Sequence, residues 1–202
     1  MFSHRRDLQF TSTPRQPDAL YACRLEQVLA GQYDEIAVAM HYMSHAWDMR
    51  VPGRYRDLVF DVGSEQVANI EMLATMIAQL LRRAPAKVLD TAVRLDPAVA
   101  AVIGGSDLQR AIAGGAGSSV ASNPWQVASG NVSGKLAADF RTGAVAERDR
   151  RAQLARLYQL TDDADVRYLL SFLLARAAAH QQLWRSAAAE VKEEDADRDT
   201  DG

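Results

Sequence analysis

The stretch Arg54-Tyr55-Arg56-Asp57-Leu58-Val59-Phe60-Asp61-Val62-Gly63-Ser64-Glu65-Gln66-Val67-Ala68-Asn69-Ile70-Glu71 decides how the rest of the chain is read. Leu58, Val62, Ile70, Leu73, Ile77 and Leu80 share one stripe at helical spacing. Val51-Pro52-Gly53 breaks the backbone pattern upstream, and Pro85 closes it downstream, because proline lacks the amide hydrogen that a helix interior needs. The spacing predicts one helix from Arg54 to Arg83.

Working outward, a helix is expected over Leu25 to Arg50, with Gly31 as its point of interruption and Ile36, Ala39, Met40, Met43 and Trp47 at helical spacing. From residue 84 to 132, Pro97, Gly104-Gly105, Gly114-Gly115, Gly117 and Asn123-Pro124 break the periodicity. Such a length is too great for an ordinary loop and reads as a crossover carrying short helices over the bundle. A third helix is expected from Ser133 to Leu160. Thr161-Asp162-Asp163 then supplies N-capping oxygens for a fourth, which ends near Val191. Two helices, a long crossover between helices 2 and 3, and two more helices make an all-α, ferritin-like four-helix bundle. The domain is expected over residues 1–190, and the charged residues 191–202 as a disordered acidic tail.

Composition excludes several classes. The chain has 202 residues and a formal net charge of −3, which suits one domain and gives nucleic acid no electrostatic footprint. The start turns polar at once, with no apolar run of a signal peptide, and the apolar stretch Tyr168 to Ala175 is too short to span a bilayer. A cytoplasmic protein is the expectation. The single cysteine, Cys23, makes no internal disulfide and reads as a small buried hydrophobe.

Bundles of this plan hold metal pairs with one Glu from each of two helices and a Glu-x-x-His pair from each of the other two. Three residues here stand on stripes aimed at a core, one in each of three helices. Glu35 shares a stripe with Ala39 and Tyr42, Glu147 lies on the line through Phe140, Ala144 and Leu154, and His180 on the line through Leu173, Ala177 and Trp184. A charged or polar group so placed needs a partner, since burial without one is costly. His41 and His45 are spaced to share a helix face but lack an evident third ligand and read as an ordinary exposed or partner-facing pair. The run Gly114-Gly115-Ala116-Gly117-Ser118-Ser119 lacks the lysine ending of a phosphate loop and reads as crossover.

Several blocks, in order, resemble the manganese catalases. They are Met1-Phe2-Ser3-His4, Leu8-Gln9-Phe10, Arg54 to Asp61, Asn123-Pro124-Trp125, Asn131-Val132-Ser133-Gly134, Ala146-Glu147, Thr161-Asp162-Asp163 and His180-Gln181. The resemblance implies that Glu35, Glu147 and His180 match metal ligands, and that Tyr42 matches a position close to the metals. It also implies a hexameric homo-oligomer.

The departures fall on the same motif. Where the family reads E-E-x-x-H-x-E, this chain has Glu65-Gln66-Val67-Ala68-Asn69-Ile70-Glu71. Gln66 stands in place of the bridging carboxylate and Asn69 in place of a ligand histidine, while Ala177 replaces a nearby acid. A neutral amide is a poor substitute for a bridging carboxylate or an imidazole. The expectation is a broken dinuclear site, little or no hydrogen peroxide dismutation, and a structural or interaction role. In the alternative, a remnant mononuclear Mn or Fe site survives on Glu35, Glu147 and His180. A metal-free network, in which Gln66 and Asn69 donate to Glu35 and Glu147, is the physical counterpart of the first. A register slip that turns Glu65 inward is disfavoured, because it would expose apolar neighbours.

Overall fold

The computed structural model describes residues 7–30, 35–51, 53–95 and 135–200. The expected crossover beyond residue 95, its glycine run, the Asn123 and Asn131 blocks and Met1 to His4 lie outside the described residues. Six helices are described: α1 (Ala19–Ala30), α2 (Glu35–Asp48), α3 (Gly53–Leu81), α4 (Ala86–Leu95), α5 (Leu136–Gln159) and α6 (Ala164–Thr200). The short links between α2 and α3 and between α5 and α6 make each pair an antiparallel hairpin.

Local signals set most of the boundaries. The Asp18 carboxylate accepts from the Tyr21 amide at 2.9 Å, so α1 starts before Leu25, the residue at which the apolar pattern suggested a beginning. Asp163 Oδ1 accepts from the amides of Asp165 and Val166 at 2.9 and 3.2 Å, as expected of an N-cap at the head of α6. After α3, Arg83 adopts φ 62°, a left-handed conformation that turns the chain before Pro85. α4 is a short helix in the segment read as the crossover.

The expected disordered tail is a correction. α6 continues through residue 191 to Thr200. Val191 is buried, Tyr55 donates its hydroxyl proton to Glu194 Oε1 at 3.0 Å, and Arg54 pairs with the same carboxylate. Acidic composition alone does not end a helix when its neighbours anchor one side of it.

The interior is layered along the bundle axis. At one end Leu25, Leu29, Leu73, Met76, Ile77, Leu154, Leu170 and Leu173 form an apolar cluster. At the other, Tyr42, Tyr55, Val59, Val62, Phe140, Ala144 and Trp184 form a second. Between them in chain position on α3, α5 and α6 lie buried Gln66, Asn69, Glu147, Arg150 and His180, joined by Glu35 at the head of α2. The N-terminal segment lies on α6, where Phe10 stacks on Phe172 with ring centroids 4.6 Å apart.

Candidate functional site

α2, α3, α5 and α6 contribute to the polar layer through the faces they turn inward. On α3, Gln66 and Asn69 are one turn apart and both buried, so this helix keeps the expected register. On α5, Glu147 and Arg150 are likewise one turn apart, and on α6 His180 is buried above the small residue Ala177. Glu35 and Glu147 are fully buried.

The central cation is Arg150. Its side chain is 4% exposed, with Nε 3.3 Å from Glu35 Oε1 and Nη1 3.4 Å from Glu147 Oε2. Sequence reasoning did not single it out. The only trace was its spacing of three from Glu147, inside a run (Glu147-Arg148-Asp149-Arg150-Arg151) that reads as a solvated charged face.

Around this ion cluster the amides form a directed chain. Arg176 Nη1 donates to Asn69 Oδ1 at 2.7 Å, Asn69 Nδ2 donates to Gln66 Oε1 at 2.8 Å, and Gln66 Nε2 donates to Glu147 Oε1 at 2.9 Å. Both amide orientations follow from this order, since each oxygen faces a donor and each nitrogen an acceptor. The expected donation from Gln66 to Glu147 is present. Asn69 donates to Gln66, and neither oxygen of Glu35 has a hydrogen bond of good geometry.

Glu65 joins the cluster without a slip of register. Its side chain is 47% exposed, yet Oε2 lies 2.7 Å from His180 Nε2 and 3.3 Å from Arg176 Nε. One residue before Gln66, it stands about 100° around α3, on the flank facing α6, and reaches across. His180 Nδ1 is 3.6 Å from Glu147 Oε1, so this imidazole sits between two carboxylates. Arg176 also contacts the Glu65 carbonyl at 3.2 Å, lies over the Phe172 ring and binds the Gln9 side chain. It fastens the N-terminal segment to the rim of the polar layer.

Burial raises the Glu35 carboxyl well above the usual carboxylate range, with Arg150 opposing and Glu147 adding to the rise. Burial also raises the Tyr42 hydroxyl, again with Glu147 adding and Arg150 opposing. Tyr42 packs on Trp184 with ring centroids 5.1 Å apart. His41 and His45 are not an exposed pair: His45 is buried, 3.9 Å from Asp139 on α5. Among the described residues, no group of three His, Cys, Asp or Glu side chains is arranged to hold a metal ion.

The helical order and this inward polar layer define the class, a ferritin-like bundle. The fold matches the crystal structure of KatB, a manganese catalase from Anabaena PCC7120, with a TM-score of 0.73 and 21% identity over 95% of this chain and 81% of that one. The family described as manganese containing catalase matches residues 1–198. A manganese catalase of Bacillus subtilis is 40% identical over 195 residues, which cover 95% of this chain and 71% of the relative. The protein YjqC of Bacillus subtilis (strain 168) is 44% identical over 200 residues, covering 98% and 72%. This chain belongs to the manganese catalase family.

Proposed function

We propose that this family member has no dimanganese centre, carries out little or no hydrogen peroxide disproportionation, and serves a structural or interaction role as a homo-oligomer. The observation that carries the reading is Arg150, whose guanidinium stands between Glu35 and Glu147. A guanidinium has only N–H donors and is positively charged, so it competes with a metal both for space and for the carboxylates. A metal pair does not fit the remaining donors. Gln66 turns its amide nitrogen, which cannot ligate, toward Glu147, and its oxygen is engaged by Asn69. Ala177 offers no acid to handle protons.

One observation favours the rival reading, a mononuclear Mn or Fe site on Glu35, Glu147 and His180. Apart from the Arg150 ion pair, neither Glu35 oxygen has a hydrogen bond of good geometry, which leaves room for a ligand. That site needs Arg150 to withdraw from a position where it is buried and paired with two acids. Elemental analysis decides between them, on protein grown with added manganese and iron and purified without chelators, alongside a peroxide-consumption assay. Metal close to none, with no peroxide consumed, is the expected result. One metal per chain, lost in His180→Ala, would establish the rival. Two metals with peroxide turnover would overturn both.

A further inference from the structure

We infer that a groove between α5 and α6 is a binding site for a chain of phosphate groups, either free or carried by a nucleotide. The inference goes beyond the proposed function and is independent of whether the polar layer binds metal.

The groove has a volume of about 420 Å³, the size of a small-molecule site. Its cationic walls are Arg141 and Arg148 on α5 and Arg185 and Lys192 on α6, and among the described residues no acid lines it. Arg148 pairs with Asp149 at 2.8 Å, but both side chains are 62% exposed, where such a pair is weak. Arg141, Arg185 and Lys192 have no acidic partner among the described residues. Four cations facing one cavity, on a chain whose net charge is −3, repel one another and attract an anion.

A buried donor lines the same groove. Gln181 is 4% exposed, and Arg151 Nη1 donates to its Oε1 at 2.8 Å, which fixes the orientation of the amide. Its Nε2 is left without a partner among the described residues. A neutral donor held by a fifth arginine is thus available to an oxygen of the occupant. The type and spread of the cations select that occupant. Three of the four are arginines, whose planar donors match phosphate oxygens in pairs. Arg141 and Arg148 are seven residues apart, as are Arg185 and Lys192, so each helix spreads its positive charge over about 10 Å. A single phosphate meets one end of the groove, whereas a phosphate chain meets both. A carboxylate-rich peptide carries its charges on rotatable side chains and loses more freedom on binding.

Isothermal titration of the full chain with inorganic tripolyphosphate, at low salt and without divalent cations, tests this. Tripolyphosphate is expected to bind at least about tenfold more tightly than single phosphate, because its further phosphates engage intramolecularly. The double variant Arg148→Gln with Arg185→Gln should weaken it by at least about tenfold, and Gln181→Leu by about fivefold. Circular dichroism establishes that each variant is folded. Arg82→Gln with Arg83→Gln removes the same charge at the end of α3 and should leave binding unchanged. ATP in place of tripolyphosphate distinguishes the sources: tighter binding points to a nucleotide and weaker binding to a free phosphate chain, and either upholds the site. Folded wild-type protein that does not bind tripolyphosphate would overturn the inference. An equal loss in the Arg82 and Arg83 variant would overturn it too, since attraction would then follow total charge and not the groove. Hexaglutamate binding as tightly as tripolyphosphate would replace the phosphate chain with an acidic peptide.

Discussion

Arg150 concentrates the electrostatic problem of the polar layer into one side chain. Two fully buried carboxylates, Glu35 and Glu147, face a single guanidinium that is itself 4% exposed. Removing one partner of such a buried cluster leaves uncompensated charge, which typically costs about 3–5 kcal/mol. Arg150→Met is therefore expected to destabilise the protein by about that amount at neutral pH, read as a shift of the urea midpoint. Adding Glu35→Gln to Arg150→Met should recover much of the loss, because it removes one of the two buried carboxyls and Glu147 still accepts from Gln66. If the double variant is no more stable than the single one, the loss comes from packing and the charge argument fails.

At the scale of the elements, the contact between α5 and α6 depends on a close approach. A Cβ added at Gly143 would lie 3.2 Å from the Trp184 ring, which stacks on Phe140 with centroids 5.5 Å apart. Leucine has no room there, so Gly143→Leu is expected to cost about 1–3 kcal/mol by overpacking, measured by thermal or chemical unfolding. Near-UV circular dichroism should change with it, since Trp184 is the aromatic displaced. An unaltered midpoint would show that the helices can slide apart at this level. The α3 helix was legible from its flanking prolines and its stripe, and the head of α6 from its capping aspartate. The extension of α6 was not legible, since what holds it is contact with Arg54 and Tyr55, distant in sequence.

For the molecule as a whole, acid stability is expected to depend on His45. Its imidazole is buried, and burial lowers its pKa, with Asp139 and Asp48 opposing and His41 adding to the effect. The folded chain therefore binds this proton less readily than the unfolded chain does. Above the unfolded value of about 6.5 both states are neutral and the group contributes nothing. As pH falls through that value, the unfolded state gains a proton that the folded state resists, and stability declines. His45→Gln should flatten the decline of the melting temperature between about pH 7 and 5, and Asp139→Asn should steepen it, because the carboxylate supports the protonated ring. Parallel curves for wild type and His45→Gln would assign the acid sensitivity elsewhere.

The sequence by itself determined the helical plan and the family, because these are written in local spacing and contiguous motifs. It also pointed to Glu35, Glu147 and His180 as inward-facing, since each sits on a stripe of apolar neighbours. Only the tertiary structure decided what meets them. Within Glu147-Arg148-Asp149-Arg150-Arg151 each successive residue turns about 100° around α5, and which arginine is buried depends on where α2 lies against that helix. The same holds for Glu65, a flank residue on its own helix that becomes a partner of His180 only because α6 runs beside it. Periodicity tells which way a side chain faces, whereas its partner is set by the packing of helices distant in the chain.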